Sequence, residues 1–392
     1  MLRNGTLGYM LATYAVRVED SRGRKFPEKE HPYRNAYQRD RDRVIHARAF
    51  RRLENKTQVF TRRLSDHFRN RLTHTIEVAQ ISRTIAAALG LNCDLVEALA
   101  LVHDIGHPPF GHSGEKALDA EMKAYGSYFD HNIHALRIVE DFELRYVDFR
   151  GLNLSFEVRE GIIKHSHDYD AAKYPELSEY LLDKRPPLEA QLIDLTDEIA
   201  YNTADLDDGY EARILTVKQI RAGVPLFDRY YAEVEEEHPD ALEKLKFNEV
   251  LKKMFNRFVT DLIENTKKSV SESKVKSLHD IRTFPKRLAC FSDQVEAERR
   301  ETKEFLYQNL YFSKSLKGDK EKAEVIVKEL FDYWLAHPDA LPHSYRDKAE
   351  HEPLARVVCD YIAGMTDPFV LECHQKLCAP KKLPENQRIL FP

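Results

Sequence analysis

The chain has 392 residues, 42% of them hydrophobic and 32% charged, with a formal net charge of -5. That composition supplies a large core for one big domain or two intimately packed ones, and marks an ordinary globular protein. No apolar run approaches the roughly 18 residues of a membrane span. The start Met1-Leu2-Arg3-Asn4-Gly5 lacks the apolar stretch of a secretory signal, so the expected location is the cytoplasm.

Gly is scarce, at 14 residues, which favours helices over a turn-rich sheet protein. The five cysteines (Cys93, Cys290, Cys359, Cys373, Cys378) are odd in number and show no Cys-x-x-Cys spacing. They indicate neither a disulfide framework nor a thiolate zinc site.

Arg17 to Arg39 mixes Gly, Pro and charge without apolar periodicity and reads as an ordered arm. From near Asp40, Val44, Ala47, Phe50 and Leu53 recur every three residues and predict a helix. After the stretch Thr57 to Asp66, a second helix carries Leu72, Ile76, Ala79, Ile85 and Leu89, with Gly90 as its cap. Between Arg39 and Arg71 stand eleven Arg or Lys against four Asp or Glu. Such a basic run is either a solvated helical face or a platform for a polyanion.

A third helix is predicted from about Asp94 to near Gly106, because His107 precedes Pro108 and is pushed out of the helical region. His103 and Asp104 are then expected in its last turn. Pro186 and Pro187 introduce a helix from Leu188 to about Asp205, and the spacings Leu251, Phe255, Phe258, Leu262 and Val325, Leu330, Trp334 continue the helical pattern.

The stretch His103-Asp104-Ile105-Gly106-His107-Pro108-Pro109-Phe110-Gly111-His112, with His74 in the helix before it, concentrates imidazole and carboxylate without sulfur. That donor set suits a divalent ion such as Mn2+, Fe2+, Co2+, Zn2+ or Mg2+. On the later helix, Asp197, Tyr201 and Asp205 are four residues apart and share one face. Buried carboxylates there need partners, either arginines or a metal with a polar ligand.

These residues resemble the HD-domain deoxynucleoside triphosphate triphosphohydrolases, the bacterial dGTPase-like proteins. The likeness is carried by Arg39-Asp40-Arg41-Asp42-Arg43-Val44-Ile45-His46 with Phe50-Arg51-Arg52-Leu53, by Gln58-Val59-Phe60, Arg71-Leu72-Thr73-His74, His103 through His112, and Asp197-Glu198-Ile199-Ala200-Tyr201-Asn202. Asn153-Leu154, Lys164-His165 and Tyr361-Ile362-Ala363-Gly364-Met365-Thr366-Asp367 add to it. Phe129-Asp130-His131-Asn132 also belongs to it, followed by His134, to which the resemblance gives no role.

The resemblance implies that His74, His103, Asp104 and Asp197 bind one metal ion, and that His112 is the catalytic histidine with Glu115 as its carboxylate partner. It implies that Arg71, His107 and His131 face phosphates. Gln58 and Asp205 would read the sugar 3'-hydroxyl, and Tyr201 would wall off a 2'-hydroxyl. The implied reaction is metal-dependent hydrolysis of a deoxynucleoside triphosphate to deoxynucleoside and tripolyphosphate by water attack at the alpha phosphorus. His112 would serve as base on the water or acid on the departing 5'-oxygen.

The expected fold is all-α, an HD-domain helical fold with additional C-terminal helices and little or no sheet. One helical domain would span 1–392, with the metal-site core at 60–210 and a C-terminal region at 211–392 completing the pocket and the oligomer contacts. Implied partners are the dNTP substrate, further copies in a hexamer or tetramer, and single-stranded DNA or a dNTP effector. An HD phosphodiesterase or nucleotide monophosphatase would share the ligands but lack His112-Glu115 and the Gln58-Tyr201 pair. A nucleic-acid-binding protein with a vestigial HD site is the alternative from another class, prompted by the basic segment.

Overall fold

Asn35 opens the first helix. Its side chain accepts the Gln38 N–H while the Gln38 side chain accepts the Asn35 N–H, and α1 runs Ala36–His46. This reciprocal cap starts the helix four residues before Asp40, inside the expected arm. The helix expected through Leu53 is also interrupted. Ala47 is extended (ψ 148°), so α2 (Arg48–Arg52) is a separate short helix that passes into a tight turn at Leu53–Asn55. Spacing by three rotates about 60° per step away from one helical face. The break at Ala47 instead lets Val44, Ala47, Phe50 and Leu53 all remain buried.

The computed structural model describes residues 11–59 and 68–378. Phe60 of the Gln58-Val59-Phe60 motif and Arg62 and Arg63 of the basic segment lie outside the described residues. Helix α3 (Arg71–Leu89) is capped by Asn70 at its start and by left-handed Gly90 (φ 68°) at its end. Its Ile76, expected on the apolar face, is 53% exposed, while Ile81 and Ile85 point into the core.

Helix α4 (Cys93–Val102) stops one residue before His103, not near Gly106. Two successive tight turns, Ile105 N–H to Val102 O and His107 N–H to Asp104 O, carry the chain onward. Gly106 makes this possible. A Cβ there would lie 2.0 Å from the His131 carbonyl oxygen, so only glycine lets the next layer approach the motif.

That layer is α5 (Gly111–Lys123) and α6 (His131–Arg137), followed by α7 (Phe156–Ile163) and the long α8 (Leu188–Glu211) behind Pro186-Pro187. The remaining helices are α9 (Val217–Gly223), α10 (Pro225–Glu237), α11 (Glu243–Ser273), α12 (Leu278–Thr283) and α13 (Asp293–Leu306). Then come α14 (Lys314–Ala336), α15 (His343–Ala349), α16 (Leu354–Ala363) and α17 (Asp367–Leu377). Among the described residues there is no strand, only isolated bridges at Arg24 with Ser155 and Thr57 with Asn70. The fold is all-α. None of its described helices is long and apolar enough to cross a membrane.

Two apolar cores hold the helices. The larger joins residues of α1, α3, α4, α7, α8, α10 and α11. The smaller packs Leu118 and Met122 of α5 against Leu330, Phe331 and Trp334 of α14, with Val358 and Ile362 of α16 and Val370 of α17. Arg71 of α3, Asp104 just beyond α4, Asp197 of α8 and His112 of α5 line one cavity.

Candidate metal and active site

His74 sits in the first turn of α3 and Asp197 midway along α8, with His74 Nε2 2.7 Å from Asp197 Oδ1. His103 Nδ1 donates to the Ala100 carbonyl at 2.6 Å. Because a carbonyl can only accept, that bond fixes the proton on Nδ1 and leaves Nε2 with a lone pair. His103 Nε2 is buried, has no hydrogen-bond partner among the described residues, and lies 3.5 Å from Asp104 Oδ1 and 3.9 Å from Asp197 Oδ1.

Donor atoms of His74, His103 and Asp104 fall within 4.8 Å of one another, as do those of His103, His165 and Asp197. A buried imidazole lone pair among carboxylates is a poor resting state without a cation, so these residues fit a divalent metal. The electrostatics agree. Burial works against both carboxylates, but Arg71, His103 and His107 hold Asp104 well below its usual range. The His74 contact lowers Asp197 to about 2.

Arg71, the first residue of α3, donates to Asp104 Oδ2 at 2.8 Å, and His107 Nδ1 stands 2.9 Å from Asp104 Oδ1. Burial, with Arg71 and His131 beside it, pushes the His107 imidazole well below its usual range, which keeps it neutral. Its ring lies over that of His131, with centroids 4.0 Å apart. Glu115 serves two histidines. Its Oε1 is 2.7 Å from His131 Nδ1 and its Oε2 is 3.4 Å from His112 Nδ1. The expected His112–Glu115 pair is present, but the tighter bond goes to His131, and the His112 side chain is 85% exposed.

One cavity of about 570 Å³ gathers this chemistry. Of the residues singled out in the sequence, all line it except His74, His103 and Glu115, each of which stands against a lining residue. Gln58 Oε1 and the Tyr201 hydroxyl are buried without a hydrogen-bond partner among the described residues. Asp205 accepts the Tyr311 hydroxyl, and burial pushes its carboxyl up to about 7.

Sequence reasoning missed the side chains that arrive from the C-terminal half. Lys303 on α13 lies 5.6 Å above the Tyr201 ring, and Tyr311 and Lys320 also line the cavity. No motif or spacing marks them. His165 is different: it follows Lys164 in a quoted stretch, and its Nδ1 stands 2.6 Å from Asp194 beside the His103 ring.

Much of the basic segment is internally paired. Arg43 bonds Glu28, Arg41 bonds Asp42, and Arg69 bonds Asp208 and Glu77. The described part therefore does not form a continuous uncompensated cationic face.

Residues 71–202 match the HD domain, and residues 289–376 match the phosphohydrolase-associated domain. A deoxyguanosinetriphosphate triphosphohydrolase-like protein of Azoarcus sp. (strain BH72) is 45% identical over 370 residues, covering 94% of this chain and 97% of the relative. The chain belongs to the deoxyguanosinetriphosphate triphosphohydrolase-like family of HD-domain proteins. Similarly named relatives from Geobacter sulfurreducens and Bordetella pertussis are 44% and 43% identical, covering 94% and 96% of this chain and 95% and 99% of their own. Membership in this family makes the chain a metal-dependent phosphohydrolase, and the His-Asp cluster between α3, α4 and α8 is where a divalent ion fits.

Proposed function

We propose that the protein hydrolyses deoxynucleoside triphosphates, dGTP among them, to deoxynucleoside and tripolyphosphate. The observation that carries this reading is a shared cavity: the metal-binding carboxylates and the sugar-sized set Gln58, Tyr201 and Asp205 face the same 570 Å³ space. Unpartnered Gln58 Oε1, an acceptor, and the Tyr201 hydroxyl call for a polar ligand there, such as the hydroxyl groups of a sugar.

In this reading His74, His103, Asp104 and Asp197 hold the divalent ion, drawn from Mn2+, Mg2+, Co2+ or Fe2+. When bound, the ion would supply Lewis-acid polarisation of the alpha phosphate and lower the pKa of water. Arg71, His107 and His131 face the phosphate oxygens, where the Arg71 guanidinium fork balances charge that builds up during transfer. Water oxygen bonds to the alpha phosphorus, the bond from phosphorus to the 5'-oxygen breaks, and that oxygen ends protonated. His112, exposed to the cavity and turned by Glu115, moves a proton in this exchange. Tyr201 lies against the sugar, with Gln58 and Asp205 on the 3'-hydroxyl.

The test is to incubate purified protein with each dNTP, singly and mixed, under several divalent metals, and to separate the products. Tripolyphosphate with nucleoside supports the reading. Orthophosphate or a nucleoside monophosphate would assign the site to a phosphatase or diesterase instead. Mixtures report whether one nucleotide activates hydrolysis of another. Sedimentation of the same sample reports the homo-oligomer.

A further inference from the structure

Asp367 is the first residue of α17 and is 8% exposed. It lies 257 residues beyond Phe110 and 310 beyond Thr57, yet its carboxylate receives donors from both. Oδ1 accepts the Phe110 N–H at 2.9 Å. Oδ2 accepts the Thr57 N–H at 2.9 Å and the Thr57 hydroxyl as well. Asp367 itself does not line the reaction cavity.

The two segments it grips are those that deliver active-site side chains. Thr57 directly precedes Gln58. Phe110 directly precedes Gly111 and His112, and its backbone is left-handed (φ 62°), a conformation that a side chain disfavours and that surrounding bonds must hold. A second tie runs parallel. Lys56 Nζ, 3% exposed, donates to the His107 carbonyl at 2.5 Å and to the Ala363 carbonyl at 3.0 Å. The stretch from Ala363 to Asp367 thus serves as a common reference for the backbone at His107, the turn before His112 and the strip carrying Gln58.

We propose that Asp367 is a positioning residue for the reaction, fixing His112 and Gln58 relative to each other around the substrate. The proposal rests on the triphosphohydrolase reading. It gives the phosphohydrolase-associated segment a share in catalysis although its carboxylate does not line the reaction cavity. Charge is not the operative property. The carboxylate is used as a three-point acceptor of fixed shape, so replacing one oxygen by an NH2 group sets donor against donor at Phe110 or at Thr57.

Asp367→Asn and Asp367→Glu separate shape from charge. The parent protein is assayed first with the dNTPs, singly and mixed; absence of turnover with all of them overturns both the triphosphohydrolase reading and this role. With an active parent, both variants should lose kcat by on the order of tenfold to a hundredfold, the scale of a misplaced catalytic group. Bound metal should remain at the parental level, and the Phe110 amide should exchange hydrogen faster in metal-loaded protein without nucleotide. Parental kcat in Asp367→Asn with unchanged Phe110 exchange overturns the positioning role and leaves the reaction intact. Full activity in Asp367→Glu alone would make the role one of charge and overturn it too. Failure of both variants to fold would make Asp367 a residue of the fold only, which also overturns it.

Discussion

His74 Nε2 and Asp197 Oδ1 stand 2.7 Å apart across 123 positions of sequence, joining the first turn of α3 to the middle of α8. Among the described residues neither has another opposite charge so close, and both face His103, whose Nε2 has no hydrogen-bond partner among them. His103→Ala or Asp104→Ala is therefore expected to lose bound metal and turnover together, because the remaining donors cannot complete the coordination. Elemental analysis of both purified variants checks this. Full metal occupancy in either would move the ion to other residues.

The helical periodicity, the Gly90 cap and the Pro186-Pro187 helix start were legible because each depends on local chemistry. The break at Ala47 and the stop of α4 at Val102 were not, since both are imposed by what packs against them: a shared core face in one case, the α6 backbone over Gly106 in the other. The site divides in the same way. His103, Asp104, His107 and His112 lie in one short stretch, and Asp197, Tyr201 and Asp205 keep a helical period, so the sequence itself groups them. Lys303, Tyr311 and Lys320 share no such pattern and reach the cavity only through tertiary packing. The division of Glu115 between His112 and His131 is likewise a fact of three dimensions.

His112→Ala is expected to keep the metal and lose most turnover, on the order of 100 to 10,000-fold, as for removal of a general acid or base. Its side chain is 85% exposed, so truncation leaves no cavity in a core and the melting temperature should hardly move. Paired measurements of kcat and bound metal decide the point. A near-parental rate would transfer the proton movement to another group.

Asp205 gives a dependence of stability on pH. Burial raises its carboxyl to about 7 from an ordinary value of 3.8; Asp208 adds to the rise, while the Tyr311 hydroxyl, His74 and Arg69 oppose it. Between those two values the folded protein retains a proton that the unfolded chain releases. The contribution of Asp205 to stability is therefore whole below the lower value and declines as pH rises to about 7. Asp205→Asn cannot ionise and still accepts the Tyr311 hydroxyl. The melting temperature of the variant minus that of the parent should become more positive from pH 5 to pH 7 and level off above. A difference that stays flat over that range would show that Asp205 is ionised in the folded protein throughout.

Tyr201 lies one helical turn after Asp197 and one turn before Asp205, and all three line the cavity. Its hydroxyl is buried without a partner among the described residues, and Lys303 caps its ring at 5.6 Å. A ring held in this way on the interior of a 24-residue helix cannot retreat when a larger sugar enters. If it packs against C2' of the substrate, a 2'-hydroxyl meets carbon where it needs space and a hydrogen-bond partner, and ribonucleotides are rejected. Tyr201→Ala opens that space, so kcat/KM for GTP relative to dGTP should rise by on the order of tenfold or more, the range over which one small group is discriminated in a pocket. Gln58→Ala should act differently. Losing a contact to the 3'-hydroxyl, which both sugars carry, raises KM for the two nucleotides alike and leaves their ratio unchanged. Measuring both ratios in folded, metal-loaded variants separates a steric gate from a general sugar contact. Discrimination as sharp as the parent's in Tyr201→Ala would place the gate on other residues and leave Tyr201 as packing.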